Sequence, residues 1–214
     1  MTLADTSPRF IETIRYADGR LHLLDLHTDR MRATRREVYG IEGPGLDASM
    51  FHIPPHLAGI TVKCRVIYGR DIDDIQYEAY TPRPLSRLRM VSDNTVDYHL
   101  KYLDRTPLAY PDIPLRPDEG LVIVKDGLVT DSTYANLLLL APDRAYTPST
   151  PLLPGVMRRH LLDTGRAVPI HITPADLLPG NRLGITHIAY INALLPPGTL
   201  PPIAVTHIHP LHDK

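Results

Sequence analysis

Proline divides this chain more sharply than any other residue type does. The 214-residue sequence contains 22 prolines, roughly twice the usual frequency. They cluster between segments of regular apolar periodicity, at Pro54-Pro55, Pro82 with Pro84, Pro114 with Pro117, Pro196-Pro197 and Pro201-Pro202. Because proline fixes φ and donates no backbone hydrogen bond, such clusters end helices and strands. The sequence therefore predicts short strands and helices joined by stiff connections.

Charge and composition argue against several classes of protein. The net charge of −1 offers no basic surface for nucleic acid, and no apolar run approaches the ~20 residues of a membrane span. Met1–Asp5 lacks the basic and apolar regions of a signal peptide. Cys64 is the only cysteine, which favours a reducing compartment. We therefore expect a soluble cytoplasmic protein that binds neither nucleic acid nor membrane.

Periodicity in the first half predicts a small α+β lobe over residues 1–106. Residues 10–15 and 21–26 flank the turn signal Asp18-Gly19 and are predicted as strands. A helix is expected from about residue 28 to 39, ended by Gly40. Residues 60–68 read as a strand, and the predicted partner strands are at 75–79 and 88–91.

The second half, residues 107–214, predicts a larger α/β lobe. Residues 121–124 and 128–129 flank a second hairpin turn, and residues 136–140 form a continuous apolar strand. A helix is expected at 155–162, and Thr173 followed by Pro174 predicts the start of a short helix. Residues 185–191 and 203–208 are predicted to end the chain as strands.

Four short motifs carry chemistry, and they occur in a fixed order. They are His27-Thr28-Asp29-Arg30; Lys101-Tyr102-Leu103-Asp104-Arg105; Gly127-Leu128-Val129-Thr130-Asp131 with Asn136; and Gly155-Val156-Met157-Arg158. Together they resemble the class IV aminotransferase family, which consists of pyridoxal-phosphate-dependent enzymes of fold type IV, like D-amino acid aminotransferase. The resemblance extends over nearly the whole chain and implies a two-lobed α+β fold.

The resemblance also implies a role for each motif. Lys101 would bind the cofactor pyridoxal 5′-phosphate covalently and act as acid and base on the substrate. Asp131 would pair with the pyridine nitrogen, where most family members have glutamate. Such a nitrogen must stay protonated for the ring to accept electrons. The phosphate would be held by Arg30 and by the helix start at Gly155, Val156 and Met157.

The last motif separates subfamilies. Aminotransferases of this family usually carry a threonine or serine pair there, whereas this chain has Ile191-Asn192-Ala193-Leu194-Leu195-Pro196. That segment resembles the Asn-Ala-Leu-x-Pro segment of 4-amino-4-deoxychorismate lyases, which make 4-aminobenzoate and pyruvate for folate synthesis. Asn192 and Ala193 would then complete the phosphate site. Two alternatives stay open: an aminotransferase for branched-chain or D-amino acids, and a degenerate member without catalytic activity.

Substrate and partner predictions follow from the same resemblance. The substrate would be a small carboxylated amine, and a carboxylate calls for arginine. Arg83, Arg15 and Arg105 are the candidates for binding it. A homodimer is implied, and no metal site is predicted. Family members carry a further β-hairpin ahead of the strand that starts at Phe10, so the N-terminal lobe is expected to be trimmed.

Overall fold

The computed structural model describes residues 7–213, with side chains through residue 209. Met1–Asp5, the basis for expecting no signal peptide, lies outside the described residues. The chain divides into two units: one contains the residues up to Thr81 and Leu100–Thr106, and the other contains Pro82–His99 and the chain from Pro107 onward. Residues 82–99 thus group with the second unit, although the sequence-based division placed them before its boundary at residue 106.

The first unit is an antiparallel sheet packed on one helix. Its elements are β1 (Phe10–Ala17), β2 (Arg20–Leu21), α1 (Leu24–Tyr39), β3 (Val62–Tyr68) and β4 (Ile72–Ala79), and the strand order is β2-β1-β3-β4. Asp18 and Gly19 connect β1 to β2 with left-handed φ values of 53° and 73°, the backbone that a tight hairpin requires.

The predicted strand at 21–26 is wrong beyond Leu21, because α1 begins at Leu24 rather than near residue 28. Leu23 has a left-handed φ of 57° and turns the chain into the helix. From there Leu24, Thr28 and Met31 fall at helical spacing on one face, which packs against the sheet. Burial of this helix face on the sheet therefore outweighs the strand preference of the short apolar run at 21–26.

Strand β3 shows how the sheet of the first unit builds its core. Val62, Cys64, Val66 and Tyr68 are fully buried, whereas the residues between them are half-buried. This alternation is the period-2 pattern of a strand with one face in the core. Burial raises the pKa of the Cys64 thiol to about 12, so Cys64 behaves as a small apolar residue.

The second unit holds two sheets and one helix. Its elements are β5 (Arg87–Ser92), β6 (Glu119–Lys125), β7 (Leu128–Val129), β8 (Asn136–Leu140), β9 (Ala145–Pro148), α2 (Val156–Asp163), β10 (Val168–Ile170), β11 (His187–Ile191), β12 (Ile203–Ala204) and β13 (Ile208–Asp213). One sheet has the order β10-β9-β8-β11-β12 and the other β13-β5-β6-β7. Apolar side chains from both sheets form one core.

Two predictions near the end of the chain have different outcomes. The short helix expected after Thr173 is confirmed as a 3₁₀ turn at Pro174–Leu177, closed by a reciprocal capping box between Thr173 and Asp176. The continuous strand at 203–208 is wrong, since a 3₁₀ turn at Val205–His207 separates β12 from β13. In such a turn residues i and i+3 share a face, so Val205 and Ile208 both reach the core.

No helix within residues 7–213 combines the length and the hydropathy needed to cross a bilayer.

Candidate active site

Lys101 is fixed in the first unit through its backbone. Its carbonyl accepts a hydrogen bond of 3.0 Å from the N–H of Ile11 at the start of β1. The next residue, Tyr102, pairs with Phe10 as an isolated β-bridge, and their rings pack at a tilt of 38° with centroids 5.2 Å apart. The short segment that carries Lys101 therefore acts as an extra strand beside β1.

The Lys101 side chain is half-buried, and no described residue forms a hydrogen bond or ion pair with its Nζ. Burial, and after it the positive charge of Arg30, lower the pKa of Lys101 to about 7, while Glu12 opposes the shift. Near neutral pH a large share of this amine is therefore unprotonated. An unprotonated lysine is the form that attacks a carbonyl carbon, so Lys101 is suited to bind an aldehyde cofactor.

The buried side chains of Glu12 and His27 and the half-buried side chain of Arg30 form a hydrogen-bonded network near Lys101. The Glu12 carboxylate accepts hydrogen bonds from Arg30 Nε at 2.8 Å, Arg30 Nη2 at 2.5 Å and His27 Nδ1 at 2.6 Å. Glu12 and His27 are fully buried. Burial alone would raise the pKa of Glu12, but Arg30 and His27 together lower it to about 2. Arg30 is therefore held in one orientation by an ionised carboxylate.

His27 in this network is the neutral tautomer with its proton on Nδ1. Burial lowers its pKa, and the hydrogen bond to Glu12 only partly opposes this shift. Its Nε2 is buried and has no partner among the described residues. Glu12 was not among the residues predicted from the sequence, although a signal existed. It shares one face of β1 with the core residues Phe10 and Ile14, and a carboxylate on a buried face needs a buried partner.

The second unit places Asp131 at the centre of another buried network. Its Oδ1 accepts a hydrogen bond of 2.7 Å from Asn136 Nδ2, and its Oδ2 accepts one of 2.9 Å from the N–H of Leu153. Burial raises the pKa of Asp131 to about 7, against the opposing effects of these hydrogen bonds and of Arg158. Each carboxylate oxygen has two lone pairs, so Asp131 can accept a further hydrogen bond. A protonated ring nitrogen would supply that donor.

Gly155 is required by close packing and not by an unusual backbone angle, since its φ is −70°. A Cβ atom at this position would lie 1.8 Å from Asn136 Oδ1, so any side chain here would clash with Asn136. Helix α2 starts directly after it with no side-chain cap, so the first N–H groups of Val156 and Met157 form a helix N-terminus of the kind that binds anions. The Asp131 carboxyl and this helix start fit the pyridine and phosphate groups of the predicted cofactor.

An unpredicted group of polar atoms lies in the same segment. Arg158 Nη2 donates to the carbonyl of Pro148 at 2.8 Å. Its Nε and the hydroxyls of Thr147, Ser149 and Thr150 are buried without a partner among the described residues. The signal in the sequence is weak, since three hydroxyl residues in four positions before a helix are also typical of an ordinary turn.

The Asn192 side chain forms its hydrogen bonds within and beside the turn that follows β11. Its Oδ1 accepts hydrogen bonds from the N–H groups of Leu194 at 2.8 Å and Leu195 at 3.0 Å, and its Nδ2 donates to the carbonyl of Tyr134 at 3.2 Å. Any contact with a phosphate would therefore come from the turn that Asn192 shapes, including the backbone of Ala193.

The three candidate arginines have different surroundings. Arg83 is exposed and donates from Nε and Nη2 to the carbonyl of Pro117. Arg105 is exposed on the segment that carries Lys101. Arg15 is half-buried on β1, with its Nη2 2.9 Å from His22 Nδ1.

A two-unit α+β chain that carries a lysine with a lowered pKa and a buried carboxyl beside a glycine-opened helix has the features of the fold-type IV enzymes. The family model for class IV aminotransferases matches residues 75–196. The chain belongs to this family, so the predicted family and fold class are confirmed. It is therefore an enzyme of the pyridoxal-phosphate-dependent class.

Several individual proteins are similar to this chain. An uncharacterised protein of Haemophilus influenzae is 29% identical over 176 residues, which cover 81% of this chain and 94% of that protein. A solved candidate 4-amino-4-deoxychorismate lyase from Haemophilus somnus 129PT has a TM-score of 0.74 at 24% identity, covering 88% of this chain and 97% of its own. A hypothetical aminotransferase from Mycobacterium tuberculosis in its PLP-bound form has a TM-score of 0.68 at 17% identity, covering 99% and 85%. These structural likenesses show the fold.

Proposed function

We propose that this protein is a pyridoxal-phosphate-dependent lyase that converts 4-amino-4-deoxychorismate to 4-aminobenzoate and pyruvate. The observation that carries the proposal is the turn after β11, where Asn192 caps the backbone of Leu194 and Leu195. The aminotransferase pattern has hydroxyl side chains there, and this chain has none between Ile191 and Pro196. The candidate lyase from Haemophilus somnus, which has a similar fold, supports the same choice.

Each site residue has a task in this proposal. When bound, pyridoxal phosphate supplies a ring that accepts electrons from the substrate. Lys101 holds the cofactor and then removes a proton from the substrate ring, a task for which a pKa of about 7 is well matched. Asp131 keeps the pyridine nitrogen protonated. Arg30 and the backbone of Gly155, Val156 and Met157 bind the phosphate.

Reduction and mapping of the cofactor test the assignment of Lys101. The sequence contains four lysines, at positions 63, 101, 125 and 214. We expect borohydride to remove a visible absorption band of the purified protein and to leave the cofactor label on the peptide that contains Lys101. Lys101→Ala should lack both the band and the label. A label on Lys63 or Lys125 would contradict the proposed role.

The reaction itself needs a separate assay. We expect pyruvate and 4-aminobenzoate to appear in equal amounts from 4-amino-4-deoxychorismate. The competing function is an aminotransferase, which is favoured by the aminotransferases that share this fold, such as the Mycobacterium tuberculosis protein. Transfer of an amino group from a branched-chain or D-amino acid to 2-oxoglutarate, without pyruvate release, would establish that function instead. A protein that binds the cofactor but does neither would be the degenerate member. The homodimer implied by the family stays a prediction.

A further inference from the structure

The sheet of the first unit has a polar face on the side opposite α1. Strand register places Arg15 of β1 directly opposite Lys63 of β3, and Thr13 opposite Arg65. Side chains alternate along a strand, so these four residues share the face that Phe10, Ile14 and the core do not use. Like charges directly opposite each other destabilise a sheet. Arg15 and Lys63 therefore each need an anion nearby.

Lys63 and Arg65 are already provided with partners on β4. Lys63 Nζ forms an ion pair of 2.6 Å with Glu78, and Arg65 Nη1 donates to Gln76 Oε1 at 3.3 Å. Arg15 differs from both. Within residues 7–213, no carboxylate lies within ion-pair distance of it, although the charge of Asp18 acts on it from farther away. Its Nε is buried without a hydrogen-bond partner among these residues.

A neutral histidine orients the Arg15 guanidinium. Arg15 Nη2 lies 2.9 Å from His22 Nδ1, and His22 Nε2 lies 3.3 Å from the carbonyl of Ala17. The carbonyl can only accept, so Nε2 carries the proton and Nδ1 accepts from Arg15. Burial and the charge of Arg15 lower the pKa of His22, which keeps this tautomer neutral. His22 thus fixes the arginine without neutralising it.

The position of Arg15 on β1 places it within reach of chemistry at Lys101. Ile11, whose N–H binds the Lys101 carbonyl, is four residues before Arg15 on the same strand, about 14 Å at ~3.4 Å per residue. A substrate held by both residues would have to bridge the distance between the Arg15 guanidinium and the Lys101 amine. The charges of Arg105 and of Lys63, the residue opposite Arg15, also contribute to lowering the pKa of Lys101.

We propose that Arg15 binds a carboxylate of the substrate, with His22 as the positioning residue. The proposal rests on the proposed function, because it assumes a substrate that reaches Lys101. A guanidinium with an unsatisfied Nε–H presents the fork that a carboxylate accepts in bidentate fashion. Of the other candidates, Arg83 donates to a backbone carbonyl and Arg105 is exposed. The same site would serve the carboxylate of a 2-oxo acid if the enzyme is an aminotransferase.

The test measures ligand affinity and not turnover. Binding of 4-aminobenzoate, pyruvate and the neutral analogue 4-aminobenzamide is measured by calorimetry on cofactor-loaded wild type, Arg15→Gln, Arg15→Lys and the matched control Arg65→Gln. We expect Arg15→Gln to weaken the binding of both carboxylates about 10- to 100-fold, the range for losing a charge-assisted hydrogen bond. The affinity for 4-aminobenzamide should change by no more than about twofold. Arg15→Lys should retain part of the affinity, and Arg65→Gln nearly all of it.

Three results would overturn the proposal: equal losses in Arg15→Gln and Arg65→Gln, an equal loss for the neutral analogue, or a wild type that binds neither carboxylate. Thermal unfolding of each variant shows whether a loss reflects folding, and the charge-retaining Arg15→Lys keeps the test valid if Arg15→Gln is unstable. Failure of the lyase proposal is a separate result. Suppose that the enzyme releases no pyruvate from 4-amino-4-deoxychorismate, but that Arg15→Gln still weakens pyruvate binding. The lyase proposal is then wrong, and the carboxylate-binding role of Arg15 still stands.

Discussion

The Glu12 carboxylate accepts hydrogen bonds from both Nε and Nη2 of Arg30, at 2.8 Å and 2.5 Å, inside the core of the first unit. This pair balances the charge around Lys101, because Arg30 lowers the pKa of the lysine and Glu12 raises it. Arg30, which is predicted to bind phosphate, thus also influences the protonation of the Lys101 amine.

Glu12→Gln removes the negative charge and leaves Arg30 uncompensated. We expect a loss of about 3 kcal/mol in unfolding free energy, as found when one partner of a buried ion pair is removed. The pKa of Lys101 should fall below about 7, which pH-dependent acylation of the amine, followed by mass spectrometry, would measure. Glu42→Gln is the control: Glu42 pairs with Arg36 on the surface, where a pair contributes under about 1 kcal/mol. Equal losses in both variants would contradict the structural role of Glu12.

The cofactor-free protein should have a stability minimum near pH 7. The pKa of Asp131 is raised from 3.8 to about 7, so the folded protein binds the extra proton between those values and stability falls as the pH rises. The pKa of Lys101 is lowered from 10.5 to about 7, so the unfolded chain binds the extra proton above pH 7 and stability recovers. Each group contributes a slope of at most about 1.4 kcal/mol per pH unit.

Urea unfolding of the cofactor-free protein between pH 5 and 10, at constant ionic strength, measures this profile. Lys101→Met should remove the rise above pH 7 and leave the fall below it. The Glu12 carboxyl acts in a different window, because its pKa is lowered to about 2; its stabilisation is lost as the pH falls below about 4.5. A wild-type profile that is flat across neutral pH would show that neither shift exists in solution.

Gly155→Ala should destabilise the protein by about 1–3 kcal/mol, the range for overpacking. The new Cβ would displace Asn136, whose Oδ1 lies 1.8 Å from its position, and so disturb the hydrogen bond to Asp131. A double-mutant cycle tests this cause. In an Asn136→Ala background the added loss from Gly155→Ala should be much smaller, since the clashing atoms are gone. Additive losses would point to helix α2 itself as the source.

The sequence identifies candidate site residues through their motifs, but it does not identify the side chains that support them. Lys101 and Asp131 are candidates because a resemblance in order and spacing picks out residue types. Glu12 was missed because its meaning depends on a partner 18 positions away, on another element. The start of α1 was misplaced because the apolar run at 21–26 fits either a strand or a helix, and only packing on the sheet decides between them. Local pattern cannot contain such long-range information.

Asn192→Asp separates the two possible roles of this side chain. Aspartate keeps the oxygen that accepts from the N–H groups of Leu194 and Leu195, so the turn should persist and unfolding free energy should change by under about 1 kcal/mol. A negative charge in a phosphate site would instead repel the cofactor. We expect the Kd for pyridoxal phosphate to rise about tenfold or more, as Coulomb repulsion near a protein surface allows, while the Kd for pyridoxal, which lacks the phosphate, stays constant. Asn192→Ala is the comparison, because it loses the acceptor and should weaken both ligands together through the turn. Equal effects of Asn192→Asp on both ligands would place the phosphate elsewhere and remove the main support for assigning this turn to the lyase subfamily.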